Sequence, residues 1–265
     1  MEERLHLEEF SIKKNNGFSV SAVRAVPVQP EGIVIAIHGF TSSKESSTYR
    51  RLLKQLPAAG LGVLCIDLPG HGTHESAEET LRIPAALDSI EAAEAWAVEN
   101  YPGCPVFYFA SSFGAYLTGL YISTRDHAGR KAFWRSAAVN MPDLFRIENP
   151  TEKERQQLAD LETKGYFDTD MDLDGRSVRI TREFCEELFQ NDLFQVFDPD
   201  HFGEHSIAMA HGREDQVISP AAAERFAERF QIPVTWFPGE GHSLSNDAKT
   251  PEMVIDLAAS LYKVP

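Results

Sequence analysis

Three short stretches of this chain are apolar almost without interruption: Gly32–Ile37, Gly62–Ile66 and Val106–Phe109. A strand with one wet face alternates, whereas an unbroken run fits a strand buried on both faces, as in a parallel sheet. Between these runs, residues 47–58 and 83–99 repeat their apolar positions at helical spacing. The alternation of buried strand and helix predicts an α/β fold, a doubly wound and mostly parallel sheet. Residues 4–12 and 18–27 alternate apolar and polar positions around Asn15-Asn16-Gly17, which predicts an antiparallel N-terminal hairpin. Further strands are predicted over 135–139, 206–210 and 233–237. Ser219-Pro220 and Thr250-Pro251 each pair an N-cap residue with proline at the first helical position, and so mark the starts of the last two helices.

Residues 141–200 break this rhythm. They hold Glu152-Lys-Glu-Arg155, an acidic stretch at 168–174, an Asp174-Gly175 turn and a helical segment over 181–189. Sixty residues are too many for a bare loop in a compact fold. The segment is therefore a small cap insertion between two sheet strands, within a single domain spanning 1–265. Its aromatics (Tyr166, Phe167, Phe184, Phe189, Phe194, Phe197) either pack the insertion onto the body or line a pocket beneath it, and different residues are expected to do each.

Composition narrows the function classes. The chain has 265 residues, 43% hydrophobic and 25% charged, enough to bury a core without disulfides or metals. Its net charge of −15 argues against nucleic acid as a partner and against binding to an anionic membrane. Cys65, Cys104 and Cys185 are odd in number and form no CxxC pair, so neither a disulfide framework nor a zinc site is expected. Reduced thiols, an N-terminus (MEERLHLEEF) without an apolar signal core, and no spanning run point to a cytoplasmic protein. Oligomeric state is open, a homodimer included.

The chemistry gathers at the ends of the predicted strands. Ala110-Ser111-Ser112-Phe113-Gly114 follows the third apolar run and opens an amphipathic helix. A nucleophile on such a turn has strained backbone angles, and the residues two positions either side press together, so both must be small. Ser112 has Ala110 and Gly114 at those positions. Ser111 would have Phe109 and Phe113, which clash. Spacing selects Ser112, with alanine in place of the first glycine of G-x-S-x-G. Alone, such a serine is more often a turn or cap.

Three further segments raise the reading. His38-Gly39-Phe40-Thr41 follows the first run, and the backbone N–H groups of Phe40 and Phe113 could form an oxyanion hole. A simple glycine turn is the plainer account. Asp67-Leu-Pro-Gly-His-Gly72 follows the second run, with His71 expected as a loop anchor. Finally, His211-Gly-Arg-Glu-Asp215 and Gly239-Glu-Gly-His242 each close a late strand. Ser112, Asp215 and His242 then stand in the chain order of a nucleophile, its orienting acid and its base, each past a strand's C-terminal end. A serine hydroxyl needs a base to take its proton, and the base needs an acid to fix its tautomer. Glu214 is the alternative acid. His38, His71 and His211 also adjoin glycines, but none follows the last strand.

In that order, HGFT, DLPGHG, ASSFG, HGREDQV and GEGH resemble the α/β-hydrolase superfamily over nearly the whole chain. The HGFT opening and Ile180-Thr-Arg-Glu-Phe184 are similar to bacterial cinnamoyl (feruloyl) esterases and the serine-aminopeptidase-like group beside them. The resemblance implies an α/β-hydrolase fold and a serine esterase needing no cofactor. Its substrate would be a small-molecule ester, a hydroxycinnamoyl (feruloyl) or other small acyl ester. Amide hydrolysis of the aminopeptidase kind, with the 168–174 acids as ammonium anchor, and monoacylglycerol lipolysis use the same triad. A non-catalytic ligand-binding protein on this fold is the alternative of another class.

Overall fold

The computed structural model describes residues 7–72, 75–146, 148–170, 177–198, 202 and 206–263. The hairpin β1 (Glu8–Lys13) and β2 (Ser19–Ala25) leads into β3 (Ile33–Ile37), α1 (Ser47–Ala58), β4 (Gly62–Ile66), the short α2 (Glu75–Glu78) and α3 (Ile83–Asn100). Then come β5 (Val106–Ser111), α4 (Phe113–Thr124) and β6 (Gly129–Arg135). The segment after β6 carries α5 (Met141–Leu144), α6 (Glu152–Thr163), a second hairpin of β7 (Tyr166–Asp168) and β8 (Arg179–Thr181), α7 (Arg182–Gln190) and α8 (Leu193–Val196). The chain rejoins the body through β9 (Ile207–Gly212), α9 (Pro220–Arg229), β10 (Val234–Phe237) and α10 (Thr250–Lys263).

The main sheet runs β1-β2-β4-β3-β5-β6-β9-β10. The β1–β2 and β2–β4 pairs are antiparallel, and every pair from β4 to β10 is parallel. The doubly wound α/β arrangement explains the unbroken apolar runs. Along β3, Ile33, Ile35 and Ile37 enter one core cluster while Val34 and Ala36 enter the other. Helices α1 and α10 supply the second cluster with Leu52, Leu56, Ile255 and Tyr262. Helices α3, α4 and α9 supply the first with Ile90, Leu120 and Phe226. All five side chains of β3 and of β4 are buried.

Two expectations shift. The hairpin is real but shorter than 4–12 and 18–27, and residues 1–6 lie outside the described residues. The strand expected over 135–139 is instead β6, which ends at Arg135. Arg130 and Lys131 disguise it, yet they lie near its open end, where Lys131 Nζ reaches the Leu261 carbonyl at 3.0 Å. Ser136, with φ of 48°, turns the chain out of the sheet. Residues 136–139 are buried because they pack beneath the next turn, where the Ala138 N–H donates to the Ser112 carbonyl.

The 141–200 segment falls between β6 and β9 and contains more regular structure than its sequence suggests. The Asp174-Gly175 turn lies outside the described residues. Helix α6 starts with a capping box, Thr151 with Glu154, which the Glu152–Arg155 reading did not include. Phe197 packs on Trp134, Phe226 and Phe230 of the body. Glu187 of α7 accepts from the Ile83 N–H at the start of α3 and pairs with Arg82, pinning the segment to the body.

Candidate active site

Ser112 sits where β5 turns into α4, with φ 51° and ψ −115°. That backbone state is costly for a residue with a side chain, about 1–3 kcal/mol, and persists only where the surroundings enforce it. They do so here by packing. A Cβ on Gly114 would lie 2.4 Å from the Ile37 carbonyl oxygen and 2.5 Å from that of His38. A Cβ on Gly39 would lie 3.2 Å from the Ser112 Cβ. The helix start and the β3 loop therefore meet backbone to backbone, and Ala110 on the other side of the serine is fully buried.

His242, on the loop after β10, lies with Nε2 3.1 Å from the Ser112 Oγ and Nδ1 2.8 Å from the Asp215 Oδ2. Asp215 needs more than this one partner because its carboxylate is buried. Its Oδ1 accepts from the N–H groups of Val217 and Ile218, both at 2.9 Å. Its Oδ2 also lies 3.2 Å from His211 Nε2. Burial alone would raise the carboxyl's proton affinity, but the hydrogen bonds from His211, His242 and the Ile218 N–H outweigh it. The carboxyl stays well below the usual carboxylate range. An ionised Asp215 acceptor puts the proton of the pair on His242 Nδ1, leaving Nε2 to accept from the serine. Glu214 is directed elsewhere: its Oε1 accepts from the Gly239 N–H. Backbone bonds hold the His242 loop as well, through Ser136 Oγ donating to the His242 carbonyl and Arg135 donating to that of Ser243.

The β3 loop is set by His38, which is fully buried. The Leu68 N–H donates to its Nε2 at 3.0 Å, so the proton sits on Nδ1 and is donated to the Gly39 carbonyl at 2.7 Å. The Gly39–Phe40 peptide is trans, so the Phe40 N–H points opposite to that carbonyl. Among the described residues, neither the Phe40 nor the Phe113 N–H donates to another backbone group. Beneath the loop, Lys44 pairs with Asp67 at 2.9 Å and gives it its backbone N–H at 2.7 Å, both side chains being buried. Asp67 thus anchors the segment after β3 to the segment after β4. His71 donates from Nδ1 to the Pro69 carbonyl at 2.8 Å, in keeping with a loop anchor.

Phe113, the residue after Ser112, belongs to an aromatic cluster. Phe40, Phe113, Phe145 and Phe184 form one cluster with ring centres 5.5–6.4 Å apart. Phe184 comes from the 141–200 segment and is fully buried, whereas Phe189 stays exposed. The acids expected to anchor an ammonium group are paired where described, Asp168 with Arg179 and Asp170 with Lys153. Burial pushes the thiols of Cys65 and Cys185 up, the latter to about 11. Among the described residues no group of three or more His, Cys, Asp and Glu is placed to hold a metal, and no helix is long and apolar enough to cross a membrane.

The sequence reading missed two contributors. Lys44 carried no signal. For His211, its place four residues before Asp215 at a strand end is the available clue.

A model of the Alpha/beta hydrolase family matches residues 34–257. No curated protein matches the chain by sequence. Among solved structures, the chain is similar to Est1E from Butyrivibrio proteoclasticus, solved with ferulic acid bound, at TM-score 0.73 and 19% identity, covering 95% of this chain and 98% of that one. It is similar to a putative hydrolase from Agrobacterium vitis S4 at 0.74 and 17%, covering 98% and 100%. It is also similar to the esterase domain of a Rhodothermus marinus protein at 0.69 and 19%, covering 98% and 99%. At these identities the likeness is one of fold.

Proposed function

Because this chain belongs to the alpha/beta hydrolase family, we propose that it is a serine hydrolase that cleaves small carboxylic esters through an acyl-enzyme on Ser112. The observation that carries the reading is the hydrogen-bonded line from Ser112 through His242 to Asp215, joining residues 130 and 27 positions apart. Ser112 Oγ attacks the ester carbonyl as His242 Nε2 takes its proton. The oxyanion is held by the Phe40 and Phe113 N–H groups, donors typically worth about 3 kcal/mol each to a transition state. His242 returns the proton to the leaving alcohol, then draws one from water as that water attacks the acyl-enzyme. Asp215 stays ionised and stabilises the imidazolium.

The aromatic cluster of Phe40, Phe113, Phe145 and Phe184 supports an acyl group with an apolar or aromatic face, a hydroxycinnamate among them. The pairing of Asp168 and Asp170 weakens the aminopeptidase alternative. The test is turnover of p-nitrophenyl butyrate and of a ferulate ester, with labelling by a fluorophosphonate probe. Ser112→Ala is expected to lose both turnover and label. Undiminished turnover in that variant refutes the nucleophile, and a wild-type chain that neither labels nor turns over favours a binding protein.

A further inference from the structure

We infer that His211 is a positioning residue for the triad acid: it donates from Nε2 to the Asp215 oxygen that also holds His242, so that two imidazoles share one carboxylate oxygen. This rests on the proposed hydrolase reading and adds a member to the site.

The geometry fixes the proton. His211 Nε2 lies 3.2 Å from Asp215 Oδ2 and 3.2 Å from the Ile218 carbonyl oxygen. An ionised carboxylate and a carbonyl both accept and cannot donate, so Nε2 carries the hydrogen. Its Nδ1 is buried and has no hydrogen-bond partner. A proton there would add a buried donor without an acceptor, which is unfavourable. The ring is fully buried at the end of β9 and packs 5.6 Å from the Trp236 ring. It cannot swing away to serve as a base.

Two consequences follow for Asp215. Its Oδ1 is held by two backbone N–H groups, and its Oδ2 by one partly exposed partner, His242, and one fully buried partner, His211. The buried donor keeps Oδ2 in place while His242 moves protons. It also draws negative charge from that oxygen, so the carboxylate holds the His242 imidazolium less tightly than an unshared one would. The other charged groups around this cluster have partners of their own, and Arg135 in addition attracts the Asp215 carboxylate. From β6, Arg135 donates to the Ser243 carbonyl. After β9, Arg213 pairs with Glu224 of α9 and lies 3.8 Å over Trp236, and Glu214 accepts from Gly239. After β10, Glu240 accepts from the Asn246 and Asp247 N–H groups.

The experiment compares kcat and KM for p-nitrophenyl butyrate over the acid-to-neutral range in wild type, His211→Phe and His211→Gln. Loss of the donor in His211→Phe is expected to lower kcat about tenfold with KM within about twofold, and to move the acid limb of kcat/KM up by about half a pH unit. His211→Gln, whose amide can donate to Oδ2, is expected to recover most of both effects. An acid limb unmoved in His211→Phe, or equal losses in the two variants, overturns the proposal and leaves His211 a packing residue. A readout independent of variant folding is the [15N]histidine spectrum of the wild type. His211 is expected to keep its proton on Nε2 across the range where activity rises, and a proton on Nδ1 overturns the proposal. Fluorophosphonate labelling of wild type at Ser112 separates this outcome from a failure of the hydrolase reading itself.

Discussion

At the scale of single residues, the site depends on which atoms cannot be present. Gly114 sits against two carbonyls at the end of β3, so Gly114→Ala must push α4 away from that strand or twist the Ser112 turn. The expected cost is about 2–3 kcal/mol from overpacking, with a larger proportional loss of activity, because the Ser112 Oγ and the Phe40 loop move apart. Urea unfolding alongside turnover checks it, and a variant with native stability and activity removes the packing argument. This level was legible in the sequence: small residues flanking Ser112, and not Ser111, follow from what a strained turn can accommodate. The sequence favours Asp215 but leaves Glu214 open as the alternative, since both are carboxylates one position apart. The choice is decided by direction, because Asp215 faces His242 while Glu214 faces Gly239.

At the scale of elements, Ser112, Asp215 and His242 stand past strand ends, and the segment between β6 and β9 packs on the body. Helix α3 begins at Ile83 without a side-chain cap from Arg82. The missing partner is Glu187, 104 positions away, which accepts from the Ile83 N–H at 2.8 Å and pairs with the Arg82 guanidinium. Glu187→Ala removes a cap and the link between α7 and the body together. It is expected to cost about 1–2 kcal/mol, in line with other lost caps, and to speed proteolytic cutting within 141–200 ahead of the rest of the chain. Limited proteolysis that cuts variant and wild type alike would show that α7 is held by its apolar face alone. Strands β3, β4 and β5 were read within two residues because apolar runs bounded by glycine or proline leave little choice. Strand β6 was misplaced because its charged start imitates a loop, and the charges are accommodated only by neighbours far along the chain.

At the scale of the whole molecule, acid stability reports how much titratable machinery is buried. Burial lowers His71 to about 3. Below about pH 6.5 the unfolded chain's imidazole takes up a proton that the folded one refuses. Stability is therefore expected to fall as pH drops from about 6.5 towards 3, because the unfolded state binds more protons throughout that window. Asp215, held below the ordinary carboxylate range, adds a further loss once pH falls through about 3.9, the unfolded value. His71→Gln should flatten the upper part of this slope. An unchanged slope between wild type and variant, measured by urea unfolding at several pH values, would assign the acid sensitivity elsewhere.

By itself, the sequence determined the alternation of buried strands and helices, the turn that can carry Ser112, and the order in which serine, acid and histidine leave the strands. These follow from local rules of burial and backbone geometry, which act over a few residues. Tertiary structure alone turned Glu214 away from His242, set His211 against Asp215, made His38 fix the Gly39–Phe40 peptide, and brought Phe184 into the aromatic cluster with Phe113. Those contacts join residues brought together by the parallel sheet, and no spacing along the chain encodes the direction in which a side chain will point once the sheet has formed.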